Sequence, residues 1–533
     1  MRAEPLHTET PAEPKHFNPW LIAVVVSLAT FMEVLDTTIT NVSLSHIAGS
    51  LAASQDESTW VLTSYLVANG IVLPLSGWLS GVMGRKRFFL LCIGGFTFAS
   101  LMCGLAESLP MLIFFRLIQG LAGGGLQPTQ QAIIMDSFPP EKRGAVFGLT
   151  GVTLIVAPIL GPTLGGLITD NFSWRWIFYI NIPVGILAFT LVSQMVRDPE
   201  HAVAKGIKNI DYIGLSLVAL GLGALQIVLD KGQQEDWFDS NFICFFAFVS
   251  VSCLGSAIYW LLHRDDPVVD LTLLANRSFG LGSILIFITG FVLYSSSALL
   301  PIMVQSLFGY NATMAGLILS PGAVFVLLLM PVSGQLVSRI PARYLVLAGL
   351  SACGIGCYLS SVMINLDATY NTFVVLRAVQ MIGIPFLFIP VSTMAFMKVP
   401  KEKSTKASAL FSLSRNLGGS VGIALVTTYL ARHSQIHQNH LVDRLVPGDP
   451  VYESAMHNLT ASAVAHGVPL ASATAQATGQ IYKQLLGQSS ILAYADSFAF
   501  LALLVGFGIC VAMFLPMNRP NAAAAKEAAQ AAH

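Results

Sequence analysis

Long apolar segments follow one another along most of this chain, separated by short polar stretches. About 20 apolar residues are enough to cross a bilayer as an α-helix, and each segment approaches or exceeds that length. The pattern therefore predicts an all-α polytopic membrane protein with fourteen transmembrane helices. The predicted segments are 19–46, 58–80, 87–107, 109–133, 144–168, 175–196, 211–230, 241–262, 279–303, 313–338, 343–363, 371–397, 407–431 and 490–516.

The composition agrees with this pattern, because 54% of the 533 residues are hydrophobic and only 11% are charged. Soluble proteins carry about 25% charged residues, so we expect no large soluble domain. The formal net charge of zero argues against nucleic acid as a partner. The sequence has no zinc-protease motif and no nucleophile beside an obvious base, so we do not expect an enzyme.

Lysine and arginine are distributed unevenly between the two sides of the predicted helices. If the N-terminus lies inside, the inner loops and tails hold 20 of these residues and the outer side holds five. Cytoplasmic loops carry such an excess, so both termini are expected in the cytoplasm.

Two short patterns recur at nearly the same spacing. Arg116-x-x-Gln119-Gly120 opens the fourth predicted helix, and a similar Arg-x-x-Gln pattern at 377–383 opens the twelfth, 261 residues later. A glycine and basic stretch at 77–87 recurs near 334–343, with an offset of 257 residues. Two similar offsets indicate two related six-helix halves; the alternative is coincidence in a chain with many glycines.

The repeat divides the chain into five parts, with two extra helices between the halves. Halves that are related by an axis along the membrane normal are a transporter architecture, with the substrate site between them near mid-membrane. The predicted parts are an N-terminal tail (1–18), the first six-helix half (19–197), a linker with two transmembrane helices (198–278), the second half (279–516, including an outer loop at 432–489) and a C-terminal tail (517–533).

The first predicted helix carries two carboxylates, Glu33 and Asp36. An acid inside a membrane helix costs at least about 2.5 kcal/mol, and it is by default a candidate functional residue. Asp36 and Arg116 lie at similar predicted depths, so they can interact. We expect Asp36, together with Glu33, to bind and release protons as the helices move, with Arg116 as the nearby cation and the acids titrating as a coupled pair. The alternative is a static ion pair that holds the helices together.

Further polar side chains inside the apolar segments are candidates for a substrate cavity. Amides and phenols in a largely apolar cavity suit amphipathic aromatic compounds, and a second membrane acid could bind a cationic ligand. Many of these groups could instead only bond neighbouring helices. The candidates are Tyr65, Asn69, Gln119, Gln127, Tyr294, Asn416 and Asp496.

The fifth predicted helix contains glycines and prolines that could let it seal one side of the protein. Gly161 and Gly165 are spaced by four residues, which lets another backbone approach closely, and Pro158 and Pro162 bend the helix. We expect a tight contact between the two halves that closes one side, with ordinary close packing of membrane helices as the alternative.

The short inner loop after the second helix contains Gly84 and Arg85. Its basic residues could contact the other half in one conformation and act as a latch. They could also serve only to set the topology.

The last outer loop, 432–489, is polar, with alanine-rich stretches that could form short amphipathic helices. His433, His437 and His440 could share one helix face, but no acid or cysteine completes a metal site convincingly. We therefore expect no metal. Docking to a partner protein is the favoured role, because loops of this length without function are uncommon.

Five stretches together resemble one known family. LDTTITNV resembles its first-helix motif, GWLSGVMGRKR motif A, RLIQG motif B, APILGPTLGG the antiporter motif C, and RNLGGS a stretch of helix thirteen. The family is the fourteen-helix drug:proton antiporters of the major facilitator superfamily, of the EmrB type, and the resemblance covers about 17–517. This chain has Ser80 where motif A often has an acid. The five stretches begin at Leu35, Gly77, Arg116, Ala157 and Arg415.

This resemblance implies proton-driven export of hydrophobic or amphipathic drugs across the bacterial inner membrane. The proton gradient would supply the energy, and no cofactor is expected. For the EmrB type it further implies a periplasmic adaptor and a TolC-like outer-membrane channel. An exporter of one native metabolite, such as a fatty acid or a siderophore, is the alternative. A proton-coupled importer is disfavoured, because motif C tends to mark exporters.

Overall fold

The chain folds into α-helices joined by short turns, and the part that the structure describes contains no β-strand. This computed structural model describes residues 18–139, 143–198, 211–443, 445 and 448–517. The two predicted tails lie almost wholly outside these residues, as does part of the predicted linker. The helices are α1 (Pro19–Val42), α2 (Leu44–Ser50), α3 (Gln55–Ser58), α4 (Trp60–Met83), α5 (Arg85–Gly104), α6 (Leu109–Gly123), α7 (Leu126–Ser137), α8 (Arg143–Asn171), α9 (Trp176–Tyr179), α10 (Asn181–Met195), α11 (Tyr212–Lys231), α12 (Asn241–Leu262), α13 (Arg277–Phe308), α14 (Ala312–Leu336), α15 (Ala342–Met363), α16 (Tyr370–Ile382), α17 (Pro385–Phe396), α18 (Ser404–Val442), α19 (Pro450–Ala465) and α20 (Leu470–Met513).

The number of membrane spans agrees with the sequence. Among the described residues, thirteen spans are long and apolar enough to cross a membrane without a sharp bend. The fourteenth is α8, in which Val146–Pro158 and Thr163–Asn171 meet at 42°. The bend falls where two prolines each remove a backbone hydrogen-bond donor. The predicted kink in the fifth span is therefore present.

Two spans that the sequence predicts as continuous helices are interrupted near their middle. The fourth consists of α6 and α7, which meet at Gly124, and the twelfth consists of α16 and α17. A Cβ on Gly124 would lie 2.6 Å from the backbone oxygen of Asn69, so glycine lets this span approach α4 closely. In the twelfth span, Pro385 begins α17 and cannot donate a helical hydrogen bond.

The segment 432–489, predicted as a polar outer loop with short amphipathic helices, is largely helical. α18 continues to Val442 and α20 already begins at Leu470, with α19 between them. In α20 the buried side chains Ala473, Ala477 and Ile481 recur every four residues, which is the spacing of one helix face. Mean hydropathy did not predict that α20 extends into this segment, because the other faces of these turns are polar.

The two halves meet along several pairs of helices, of which two have the most extensive contact. α8 packs along α14, and α4 packs along α18. Small residues allow the close approach: a Cβ on Gly316 would lie 2.4 Å from Oγ1 of Thr163, and one on Gly77 would lie 2.9 Å from Cα of Lys406. α11, one of the two inserted helices, packs against α4. A cavity remains between these contacts.

Candidate transport site

A cavity of about 550 Å³ lies between the two halves. Its wall is formed by residues of α1, α4, α7, α8, α11, α13, α14 and α18, so both halves and one inserted helix contribute. It extends along α1 as far as Val42, the last residue of that helix. Five predicted cavity residues line it, together with Glu33 and Pro158: they are Tyr65, Asn69, Gln127, Tyr294 and Asn416.

Glu33 faces this cavity, although its side chain is almost wholly buried. Its carboxylate accepts hydrogen bonds from Gln127 Nε2 at 2.8 Å, Asn69 Nδ2 at 3.1 Å and the Tyr65 hydroxyl at 3.3 Å. All three partners belong to the first half. The carboxylate is therefore held by neutral donors, and none of these hydrogen bonds comes from a charged group.

A cation of the second half reaches Glu33 through Gln127. Arg415, on α18, donates a hydrogen bond to the side-chain oxygen of Gln127, whose amide nitrogen donates to Glu33. The path Arg415–Gln127–Glu33 thus connects the two halves beside the cavity. The sequence did not assign Arg415 a role, although an arginine inside an apolar segment was the available signal.

Asp36 is one turn further along α1 but has different surroundings. Arg116 Nη1 lies 2.5 Å from its carboxylate, so the predicted contact between these residues is present. Asn181 and Gln119 also donate to Asp36, at 2.7 and 3.1 Å. Asp36 and Arg116 are buried and do not line the cavity. The prediction that Gln119 lines the cavity is wrong, because its position three residues after Arg116 directs it to the same acid.

The two acids have separate sets of hydrogen-bond partners, although Tyr65 contacts both groups. Its hydroxyl donates to Glu33, and the Arg116 guanidinium lies over its ring at 4.3 Å from the ring centre. Residues three apart on a helix point about 60° away from each other, because each residue advances the helix by about 100°. This rotation takes Glu33 to the cavity and Asp36 to α6.

The second half repeats the arginine and the glutamine but not the acids. Arg377 donates to Gln380, Ser296 and Ser297 at 2.8, 2.9 and 2.5 Å. The residues 261 positions after Glu33 and Asp36 are Tyr294 and Ser297, and both line the cavity. The repeat is therefore asymmetric at the positions where its first copy carries carboxylates.

Gly161 and Gly165 of the predicted seal lie where α8 contacts α1, so their contact is within the first half and not between the halves as predicted. A Cβ on Gly161 would lie 2.1 Å from Oγ1 of Thr38, and one on Gly165 would lie 3.1 Å from the backbone oxygen of Ile39. Pro158 lines the cavity. The side chain of Pro162 lies outside the described residues. Since α8 also packs against α14, one helix contacts the cavity helix α1 and the opposite half.

The predicted latch residues lie at the end of α4 that is far from Val42. Arg85 forms an ion pair with Asp136 of α7 and donates to Ser404 Oγ of α18 at 3.0 Å, so it contacts both halves. Gly84 has a φ of +87°, a conformation that favours glycine. The Ser80 hydroxyl donates to the backbone oxygen of Gly77.

Asp496 was predicted to line the cavity, and this is wrong. It lies on α20, where His433 and His437 of α18 both contact its Oδ2. The sequence position of Asp496 predicts how deep it lies along its helix, but it does not predict the direction in which the side chain points.

Fourteen spans, two halves around a cavity and a buried carboxylate in its wall define a multi-pass membrane transporter. The Major Facilitator Superfamily model matches residues 26–423. The multidrug export protein EmrB of Haemophilus influenzae is 37% identical over 91% of this chain and 94% of its own length. The chain therefore belongs to the major facilitator superfamily, among the EmrB-type multidrug export proteins.

Two further likenesses bear on function and fold. The fatty acid resistance protein FarB of Neisseria gonorrhoeae is 35% identical over 84% of this chain and 87% of its own length. The structure of the proton:xylose symporter XylE matches with a TM-score of 0.58 at 15% identity, covering 94% of this chain and 97% of that one. At this identity the symporter supports the fold alone.

Proposed function

We propose that this protein is an antiporter that exports hydrophobic or amphipathic drugs from the cytoplasm in exchange for protons. Its place is the bacterial inner membrane, with both termini in the cytoplasm, and it works with a periplasmic adaptor and an outer-membrane channel. The relationship to EmrB supports drug export, and the apolar cavity with a few amides and phenols supports amphipathic substrates. One observation carries the coupling to protons: a carboxylate, Glu33, in the cavity wall.

Glu33 is the acid that exchanges protons with the cavity. It touches the space that a substrate would occupy, and its hydrogen-bond donors are neutral. When it binds a proton, it loses the charge that orients the Gln127 amide. The Gln127–Arg415 contact then changes, and with it a bond between the halves. Substrate and proton thus compete through one side chain.

Asp36 and Arg116 have a different role in this proposal. Their ion pair is buried away from the cavity, so Asp36 positions α1 against α6 and does not carry the exchanged proton. At the far end, Arg85 holds the halves together while the cavity extends towards Val42. Breaking the Arg85–Ser404 contact accompanies the opposite opening.

The coupling is tested with Glu33→Gln in everted membrane vesicles. Addition of a fluorescent amphipathic substrate drives proton movement in the parent protein, and a pH-sensitive dye reports it. We expect Glu33→Gln to abolish substrate-driven proton movement while the purified variant still binds the substrate.

The matched control is Asp367→Asn, which neutralises an exposed acid in a loop outside the cavity. It should exchange as the parent does. Undiminished exchange in Glu33→Gln would remove Glu33 as the proton carrier and would return that role to Asp36.

A second candidate is the export of one amphipathic carboxylate, such as a fatty acid. Two observations favour it: the relationship to FarB and the buried Arg377, which reaches the cavity through Ser297. Cells that lack their own pumps separate the candidates. Expression should protect them against drugs of several classes if the first is right, and against fatty acids alone if the second is right.

A further inference from the structure

α18 and α20 bring three potential metal ligands together outside the cavity. His433 and His437 lie one turn apart on α18, and Asp496 lies on α20. His433 Nδ1 and His437 Nε2 lie 2.9 and 2.7 Å from the same atom, Oδ2 of Asp496. The three ligand atoms all lie within 4.8 Å of one another. Two imidazoles and one carboxylate thus converge on one point.

The surroundings orient these side chains and leave them accessible. The ring of Tyr429 stacks on His433 with 3.8 Å between ring centres, and it also stacks on Phe500 of α20. Tyr429 therefore restricts the rotation of the His433 ring. The three side chains are 24–38% exposed, so an ion from solution can reach them and can keep a water ligand.

We propose that His433, His437 and Asp496 bind a divalent transition-metal ion of the Zn²⁺ class. Two histidine nitrogens, one carboxylate oxygen and a water make up a common four-coordinate zinc site. Mg²⁺ and Ca²⁺ prefer oxygen ligands, so the two nitrogens select against them. Tetrahedral ligands about 2.1 Å from zinc lie about 3.4 Å apart, so the side chains have to separate by only about 0.6 Å.

A bound ion would join α18 to α20. α18 carries Arg415 and contributes six residues between Leu413 and Ile423 to the cavity wall. An ion on the next turns of the same helix would restrain the movement of this wall against α20. The bound ion thus has a structural or regulatory role, and its site lies outside the cavity.

The test is a Zn²⁺ titration of the purified full chain by calorimetry, in detergent, with the affinity tag removed and metal-free buffer at neutral pH. We expect one tightly bound Zn²⁺ per chain and a higher unfolding temperature with the ion. His437→Ala and Asp496→Asn should each weaken binding at least about tenfold and lose the thermal shift.

His440→Ala is the matched control, because His440 lies on the same helix, is exposed and does not belong to the cluster. It should bind Zn²⁺ as the parent does. The proposal is overturned if the parent binds no tighter than both cluster variants, or if His440→Ala weakens binding as much as they do. Asp496→Asn keeps the side-chain volume, so it gives the answer even if His437→Ala does not fold.

Discussion

Glu33 and Asp36 lie within one turn of α1, yet their surroundings give them different chemistry. Neutral amide and hydroxyl donors hold Glu33 at the cavity, while a guanidinium and two amides hold Asp36 away from the cavity. A carboxylate that contacts the cavity can exchange a proton without opening the protein interior. A carboxylate paired with a buried arginine can do so only if the pair is broken.

Neutralising Asp36 should therefore cost stability. Asp36→Asn leaves the Arg116 charge buried without its counter-ion, and breaking such a pair costs about 3–5 kcal/mol. We expect a clearly lower unfolding temperature in detergent, measured by loss of monodisperse protein after heating.

The double variant Asp36→Asn with Arg116→Gln should recover part of this loss, because it removes the unpaired charge as well. Asp367→Asn serves as the control and should melt as the parent does. If Asp36→Asn alone melts at the parent temperature, the ion pair contributes nothing to the fold.

Sequence reasoning predicted some of these contacts and not others, for a geometric reason. Depth along each helix predicted the contact between Asp36 and Arg116. Depth does not give the direction of a side chain around the helix, so Gln119 and Asp496 were wrongly assigned to the cavity. The approach of Asp496 to His433 depends on how α18 packs against α20, which no local pattern contains.

At the scale of single helices, the close packing of α8 against its neighbours depends on glycines. Gly161 contacts Thr38, and Gly316 of α14 contacts Thr163, so α8 is packed closely on both sides. The bend of 42°, between Pro158 and Thr163, coincides with these contacts. The motif predicted the bend, while the partners of each glycine required the structure.

A methyl group on Gly161 should disturb this packing. Its Cβ would lie 2.1 Å from the Thr38 hydroxyl oxygen, and overpacking costs about 1–3 kcal/mol. We expect Gly161→Ala to slow substrate–proton exchange in vesicles several-fold, with normal amounts of protein in the membrane.

Thr38→Ala in the same chain should restore part of the exchange, because it removes the nearest atom. Gly255→Ala is the matched control, since a Cβ there meets nothing within 4 Å. Equal exchange in the Gly161 and Gly255 variants would show that the α1–α8 contact does not limit transport.

On the scale of the whole molecule, α18 and α20 extend beyond their apolar portions, and α19 packs against α20. Hydropathy predicted the number of spans correctly, because burial in lipid requires apolar residues all round a helix. It could not predict these extensions, where one helix face alone is apolar. The result is a helical projection in the segment that the sequence predicted as an outer loop with short amphipathic helices.

This projection is the element that we expect to contact the periplasmic adaptor. Replacing 450–465 with a Gly-Ser linker of equal length removes the α19 surface and leaves the chain long enough to connect α18 with α20. Vesicle exchange should persist, because the cavity is untouched. Drug resistance of whole cells should fall towards that of cells without the pump.

The control for a general effect of an altered surface is the replacement of Asn365 and Asp367 with Gly and Ser, because these exposed residues of a described turn do not belong to the projection. Full resistance with the α19 replacement would mean that the adaptor binds elsewhere.

The second half carries Tyr294 and Ser297 at the positions where the first half carries Glu33 and Asp36. This difference has an evolutionary consequence. In the proposed mechanism, the first copy of the repeat holds the proton-exchanging carboxylate, and the second-copy residues that line the cavity are uncharged. Mutations at 294 and 297 can therefore broaden or shift the range of exported compounds while Glu33 and its hydrogen bonds are unchanged. Under antibiotic selection, we expect new resistance alleles to accumulate on that side of the cavity first.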